Sequence, residues 1–318
     1  MSILITGGTG FIGSRVAKKL VDAGENVVLF DTSPTFELLK GYEDKVTSVT
    51  GDITAIEQIL STIKAHRVEK IIHLAYILGL ESMGNPHLAV KVNCLGTTNV
   101  YEASRLMDVN RVLFASSILA YGSYQKHGDK ELIEDDPIYP DTVYGACKAL
   151  CEFMANWYHL AYGMQLYTLR VGSAFGPGRK GGATAFVSNL TTYPALGMPL
   201  HIPAKPDTYF PYASVNDVAQ AFVTVCQAGA DTLKHTLYNV GGYTHTGEEL
   251  EKRIKELIPD AEIGWGDIEL SYVYRISNAR LHEDTGFTLS ATMRDGLKDH
   301  INEARRAEGL PPVEEPSP

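Results

Sequence analysis

The sequence predicts an α/β fold, a doubly wound parallel sheet with a smaller C-terminal α/β region. Three observations carry that expectation. Short β-branched and apolar runs alternate with longer stretches of helical periodicity through the first half of the chain, the pattern of a parallel sheet covered by helices on both faces. A glycine-rich turn joins the first strand run to the first helical run. The chain has 318 residues, 44% hydrophobic and 21% charged, which is ample for a sizeable core.

The elements follow in order. Residues 3–6 read as a buried strand. Residues 11–23 read as a helix, with Ile12, Val16 and Leu20 at i, i+4 and i+8 and Gly24 closing it. Strands are expected at 26–30 and 46–50, a helix at 55–65 and a strand at 70–74. Pro86 opens a long helix to about Met107, since proline suits a first helical position. A strand at 111–116, a helix at 142–162 and a strand at 165–171 complete the alternation. From Gly172 onward glycine and proline become dense and short elements mix. That change marks a smaller, lid-like region, with a helix at 214–228 returning to the main sheet. Residues 311–318 are rich in Pro and Glu and read as a frayed tail.

Composition excludes several classes. Lys plus Arg is 28 against 38 Asp plus Glu, a formal charge of −10, so binding nucleic acid through a basic face is not expected. No run of about 18 apolar residues exists, so no membrane association is expected. The N-terminus lacks a basic segment ahead of its short apolar run, and a cytoplasmic location is expected. The four cysteines form neither a disulfide framework nor a Cys-x-x-Cys pair, so no metal is expected.

Gly7, Gly10 and Gly13 are spaced Gly-x-x-Gly-x-x-Gly between the first strand and first helix. Such a turn needs positive φ, close backbone approach to a pyrophosphate and tight packing of helix on strand. The helix N-terminus then offers free N–H groups to the anion. The arrangement is that of a Rossmann dinucleotide site. Asp31 ends the second strand, 18 residues after Gly13, where a carboxylate accepts from an adenosine ribose and repels a 2′-phosphate. The expected cofactor is therefore NAD. Asp52, with Ile53 beside it, follows the third strand and is placed near the adenine. The expected division is 1–171 for the NAD-binding domain, 172–310 for the substrate-binding region (with 214–240 returning to the sheet) and 311–318 for the tail.

Tyr144 and Lys148 lie four apart on a helix and so share a face. A neighbouring ammonium favours the phenolate, whose ordinary pKa of about 10 is too high for a base at neutral pH. Ser117 ends a strand near the expected nicotinamide site. Ser, Tyr and Lys form a proton-transfer set for oxidising a secondary alcohol while NAD takes the hydride. Among lesser features, Arg179 and Lys180 in a Gly-rich loop are read either as anion ligands or as a solvated loop. Cys147 and Cys151 are read as small buried hydrophobes, and His73 as a hydrogen-bonded structural histidine.

The glycine turn, Asp31, His73-Leu74-Ala75, Asn85-Pro86, the segment from Asn93 to Asn99, Ser116-Ser117 and Tyr144/Lys148 together resemble the extended short-chain dehydrogenase/reductases, the NAD-dependent epimerase/dehydratase family. The resemblance covers nearly the whole chain. It implies that Ser117, Tyr144 and Lys148 are the catalytic triad and that Asn93 supports the site. It also implies that Phe11, Ile12, Leu74, Ala75, Asn93, Tyr144, Lys148 and Val171 bind the cofactor. Related proteins commonly form homodimers through a four-helix interface, which here would use 86–107 and 142–162.

Departures narrow the branch. Dehydratases and decarboxylases of the family carry acidic residues after the catalytic serine, where this chain has Ile118-Leu119-Ala120. Many nucleotide-sugar epimerases have an Asn after the last sheet strand, where this chain has Val171-Gly172-Ser173. They also carry an Arg where this chain has Phe210-Pro211-Tyr212. Ser116-Ser117-Ile118, Thr142, Pro206-Asp207-Thr208 and Gly181-Gly182-Ala183-Thr184 look more like the short-chain type of L-threonine 3-dehydrogenase. Against that branch, Gly79 stands where a Ser is expected and Tyr209 where an Arg is. Tyr76, Gly79, Ser117, Thr142, Ser173, Thr184 and Tyr209 are the candidate substrate contacts. The expected activity is NAD-dependent oxidation of a secondary alcohol on a small polar substrate, a hydroxy acid, an amino-hydroxy acid such as L-threonine, or a sugar derivative. The alternatives are a nucleotide-sugar epimerase of the UDP-glucose 4-epimerase kind and, more remotely, a non-catalytic NAD-binding sensor.

Overall fold

The computed structural model describes residues 2–181, 185–229, 231–270, 273–289 and 292–313. The first half alternates as the periodicity predicts. Strands β1 (Ser2–Thr6), β2 (Val27–Asp31), β3 (Thr47–Thr50), β4 (Val68–His73), β5 (Arg111–Ser117) and β6 (Leu166–Val171) are separated by helices α1 (Phe11–Asp22), α2 (Ile56–His66), α3 (Gly79–Gly84), α4 (Pro86–Ala89), α5 (Thr97–Leu106) and α6 (Val143–Tyr162). Strand β7 (Ser173–Phe175), α7 (Phe186–Ala195), β8 (Leu200–Ala204), β9 (Tyr209–Ser214) and α8 (Val215–Gln227) come next. The chain ends with β10 (Leu237–Val240), β11 (Tyr243–Thr246), α9 (Gly247–Leu257), β12 (Ile263–Ile268), α10 (Ala279–Thr285) and α11 (Met293–Ala307).

Seven strands form one parallel sheet in the order β10-β6-β5-β4-β1-β2-β3. The central strands are buried on both faces, which is why they read as unbroken apolar runs rather than as alternations. The polar run Thr47–Thr50 is mostly exposed and sits at the edge. One apolar layer, with Val16, Leu20, Val218 and Phe222, packs α1 and α8 on one face. The other layer, with Ile59, Ile63, Val100, Tyr101 and Cys151, packs α2, α5 and α6 on the opposite face. Beyond the sheet, β7, β9 and β11 form a three-stranded sheet and β8 pairs with β12. With α7, α9 and α11 they enclose a separate core around Phe175, Phe210, Tyr212 and Leu297.

The expected helix from Pro86 to Met107 is not one regular α-helix. Its middle, Val90–Gly96, is π-helical, which hydrogen-bond periodicity in the sequence does not reveal. This segment buries Asn93 and Cys94. The strand order reverses on either side of β1, so the cleft at the carboxyl ends of β1 and β4 is the topological switch point of the sheet, where such folds bind ligands. No helix among the described residues is long and apolar enough to cross a membrane.

Candidate active site

A cavity of about 780 Å³ runs along the carboxyl ends of β1, β2, β4, β5 and β6 and under the loop that follows β7. At one end the glycine turn does what its spacing requires. Gly7 has φ +67, and a Cβ there would meet the Ala75 backbone nitrogen at 2.8 Å. A Cβ on Gly13 would lie 2.3 Å from the Gly7 carbonyl oxygen, so only glycine lets α1 pack this closely on the turn. Helix α1 starts at Gly10 with no side-chain cap, which leaves its first N–H groups directed toward the cavity end. Asp31 ends β2 and accepts a hydrogen bond from the Thr9 hydroxyl at 2.8 Å. Asp52 lines the cavity while its Oδ1 accepts from the Thr54 backbone N–H at 2.8 Å, so it serves the turn as well. Phe11, Ile12, Ile53, Leu74, Ala75 and Val171 also line the wall.

At the other end lie Ser117, Tyr144 and Lys148. Ser117 caps the short helical turn after β5 by accepting from the Leu119 N–H at 3.2 Å. Helix α6 begins at Thr142, whose hydroxyl accepts from the Gly145 N–H at 3.0 Å, and this sets Tyr144 and Lys148 on its first turns. Burial pushes the Tyr144 phenol up to about 12, opposed by the Ser117 hydroxyl and the Arg179 guanidinium. Burial pulls the Lys148 ammonium down to about 7, opposed by Cys151, Glu152 and Cys147. Lys148 Nζ donates to the Ala115 carbonyl at 2.5 Å and lies 5.4 Å from the Tyr144 ring centroid. The Ser117 hydroxyl and the Arg179 guanidinium thus oppose the burial of Tyr144, while Lys148 donates to β5 with the same ring within reach of its ammonium.

The structure sorts the other candidates. Tyr76, Gly79 and Ser173 line the cavity. Asn93 does not: it is fully buried behind the wall, where its side chain accepts from Ile77 N–H at 2.7 Å and donates to Ile77 C=O at 3.0 Å. Thr142 caps α6 and lies outside the cavity lining. Tyr209, on β9, is half exposed and stacks on Tyr274 at 4.9 Å, away from the cavity lining. Thr184 lies outside the described residues. His73 is buried between the Thr6 and Thr97 hydroxyls at 2.6 and 2.9 Å, and Cys147 and Cys151 are buried small side chains.

Arg179 is the residue whose place the sequence left open between two readings. Residues 178–181 line the cavity, where Arg179 Nη1 donates to Ala174 C=O at 2.5 Å, Nε donates to Gly181 C=O at 3.3 Å, and the guanidinium lies close enough to Tyr144 to influence it. Its neighbour Lys180 turns outward to pair with Glu37 at 2.5 Å across the cavity mouth. The signal available in sequence was two adjacent cations in a glycine-rich loop directly after β7. Ser116, next to Ser117, donates to Glu152, which in turn holds Arg170 through two-pronged bonds. Among the described residues no group of three or more His, Cys, Asp or Glu side chains is arranged to hold a metal.

A family model described as "NAD dependent epimerase/dehydratase family" matches residues 3–241. The UDP-glucose 4-epimerase of Halalkalibacterium halodurans is 34% identical over 182 residues, 55% of this chain and 52% of that protein. The mitochondrial L-threonine 3-dehydrogenase of Bos taurus is 25% identical over 325 residues, 96% of this chain and 84% of that protein. The crystal structure of Thermus thermophilus UDP-glucose 4-epimerase in complex with NAD superposes with a TM-score of 0.82 at 25% identity, covering 96% of this chain and 99% of that one.

Proposed function

The chain belongs to the NAD dependent epimerase/dehydratase family, and from that premise we propose that it is an NAD-dependent oxidoreductase acting on a secondary alcohol of a small polar, anionic substrate. One observation carries the reading: Ser117, Tyr144, Lys148 and Arg179 converge at one end of a cavity whose other end is the glycine turn and Asp31. The residues fit the cofactor. The backbone cradle at Gly7 and Gly13 admits no Cβ, and the α1 N-terminus beside it has no side-chain cap to compete with a pyrophosphate. Bound there, NAD supplies the hydride acceptor.

The chain's own groups then divide the work. Asp31, oriented by Thr9, would accept from the ribose hydroxyls of NAD and disfavour a 2′-phosphate. Ser117 donates to the substrate oxygen. Tyr144 takes the alcohol proton, which requires its phenolate form. Lys148 and Arg179 bring positive charge to that end, which favours an anionic group on the substrate. The buried phenol is neutral at pH 7, so oxidation is expected to quicken as pH rises toward about 12, with the reverse reduction favoured nearer neutrality.

We further propose a homodimer. Leu150, Phe153, Trp157 and Leu160 form an exposed apolar stripe at i, i+3, i+7 and i+10 on α6, and Val90, Leu95 and Leu106 are exposed on the segment before β5. Phe153 and Leu160 are 64% and 68% exposed, an apolar surface of the kind that marks an interface.

A second reading, a nucleotide-sugar epimerase, is favoured by the half-chain identity of 34% to a UDP-glucose 4-epimerase. The absence of an Arg at Phe210-Pro211-Tyr212 weighs against it. The test is NADH absorbance with L-threonine, other hydroxy acids, polyols and UDP-sugars in turn. Net NADH from a hydroxy acid, with KM raised by Arg179→Leu, supports the proposal. Interconversion of a UDP-sugar without net NADH overturns it in favour of the epimerase.

A further inference from the structure

We infer that Tyr76 is a positioning residue whose ring face receives the Lys148 ammonium and holds it beside Tyr144. The inference rests on the reading of Lys148 as part of the proton-transfer set.

The backbone on both sides of Tyr76 is anchored. The Leu74 and Ala75 N–H groups both donate to the Thr6 hydroxyl at 3.3 Å. Ile77 is clamped through both of its backbone groups by Asn93. Asn93 comes from the π-helical segment, so that irregularity has a consequence at the cavity: it fixes the peptide that aims Tyr76. The Tyr76 ring stands edge-on to Tyr144, with centroids 5.5 Å apart and planes at 82°. Its other neighbour is Phe114 at 6.2 Å, and its hydroxyl reaches the Cys151 sulfur at 3.9 Å.

Lys148 lies with Nζ 3.3 Å from the Tyr76 centroid, nearer than to the Phe114 ring at 4.8 Å or the Tyr144 ring at 5.4 Å. Lys148 is 3% exposed, so water does not solvate its charge. Among the described residues no carboxylate lies within ion-pair distance of it. The Ala115 carbonyl takes one N–H, and the negative face of the Tyr76 ring is the remaining close partner. The titratable groups that face it from packed elements are His73 on β4, Tyr76 itself, and Tyr144, Cys147, Cys151 and Glu152 on its own helix, with Arg179 acting on Tyr144 from the loop after β7. His73 is held neutral by burial and contributes no charge at neutral pH. The ring face therefore favours the charged lysine, while burial disfavours it.

The measurement is the Lys148 titration, read by NMR in protein labelled with [13Cε]lysine. The resonance is assigned by its loss in Lys148→Met. Tyr76→Phe keeps the ring and loses the hydroxyl; Tyr76→Leu loses the ring. Tyr76→Met is a second ringless variant should the leucine protein not fold. The ring stabilises the cation, so its removal lowers the Lys148 midpoint, by about one pH unit or tenfold in the proton equilibrium, while Tyr76→Phe leaves it in place. An unmoved midpoint in the ringless variants overturns the inference, as does a shift in Tyr76→Phe equal to that in Tyr76→Leu. The underlying reading fails separately: it falls if Lys148→Met and Tyr144→Phe still produce NADH from the substrate panel, whatever the midpoint does.

Discussion

Arg170→Met breaks a buried ion pair at the back of the active site. Arg170 Nε and Nη2 reach Glu152 at 3.0 and 2.7 Å, and Nη1 donates to the Glu134 carbonyl at 3.1 Å. Its guanidinium also lies 4.5 Å from the Tyr121 ring centroid. The two side chains are 4% and 8% exposed, so solvent does not replace the lost partner. Removing the arginine leaves the Glu152 charge buried and unpaired, which costs about 3–5 kcal/mol. An unfolding entropy of about 2 cal/mol/K per residue turns that cost into a fall in Tm of about 4–8 °C for a chain of this length. The assay is thermal and urea unfolding of four proteins: the parent, Arg170→Met, Glu152→Gln, and the double variant. The glutamine keeps an oxygen for Ser116 and carries no charge, so the double variant is expected to be more stable than Arg170→Met alone. A loss below about 1 kcal/mol in Arg170→Met, or simple additivity of the two changes, would refute the reasoning.

Tyr144→Phe is expected to cut NADH formation by about 10²–10⁴-fold while NAD affinity stays within a few-fold, measured by steady-state kinetics and calorimetry. Asp31→Ala should weaken NAD binding and narrow its preference over NADP, read as the ratio of the two dissociation constants. Acid should destabilise the fold through His73 and His300, which burial holds at about 3. Between pH 6.5 and 3 the unfolded chain binds these protons and the folded chain does not, so stability falls as pH falls across that window. The full span is worth up to roughly 5 kcal/mol per histidine as a ceiling, and urea midpoints from pH 7 to 4 check the slope. Phe153→Glu with Leu160→Glu should convert a dimer to a monomer in sedimentation, with the secondary structure unchanged; a parent that already sediments as a monomer removes the proposed interface.

Local chemistry made much of this protein legible. Periodicity marked β1, β2, β4, β5 and β6 within a few residues, because strands buried on both faces must be apolar throughout; it missed α3 and read 86–107 as one helix. The glycine turn, Asp31, Ser117, Tyr144 and Lys148 could be placed on one cavity because their backbone roles follow from φ, strand ends and helix spacing. Tertiary packing decided the rest. Whether Arg179 stands in solvent or lines the cavity near Tyr144 depends on contacts such as its bond to the Ala174 carbonyl, which its own residue type does not encode. Resemblance drew Thr142 and Tyr209 to the site, while the fold sets one as a helix cap and the other in a stacked pair, both outside the cavity lining. Asn93, in the π-helical segment, acts one layer behind the cavity through Ile77. The placement of Lys148, against Tyr76 and the Ala115 carbonyl with the Tyr144 ring beside it, is set by a ring face and a carbonyl that lie 33 or more residues away in sequence. Sequence determined which groups exist and which elements carry them. Their distances, and so their charges, belong to the fold, since burial and neighbours fix a proton's affinity and both come from segments far apart in the chain.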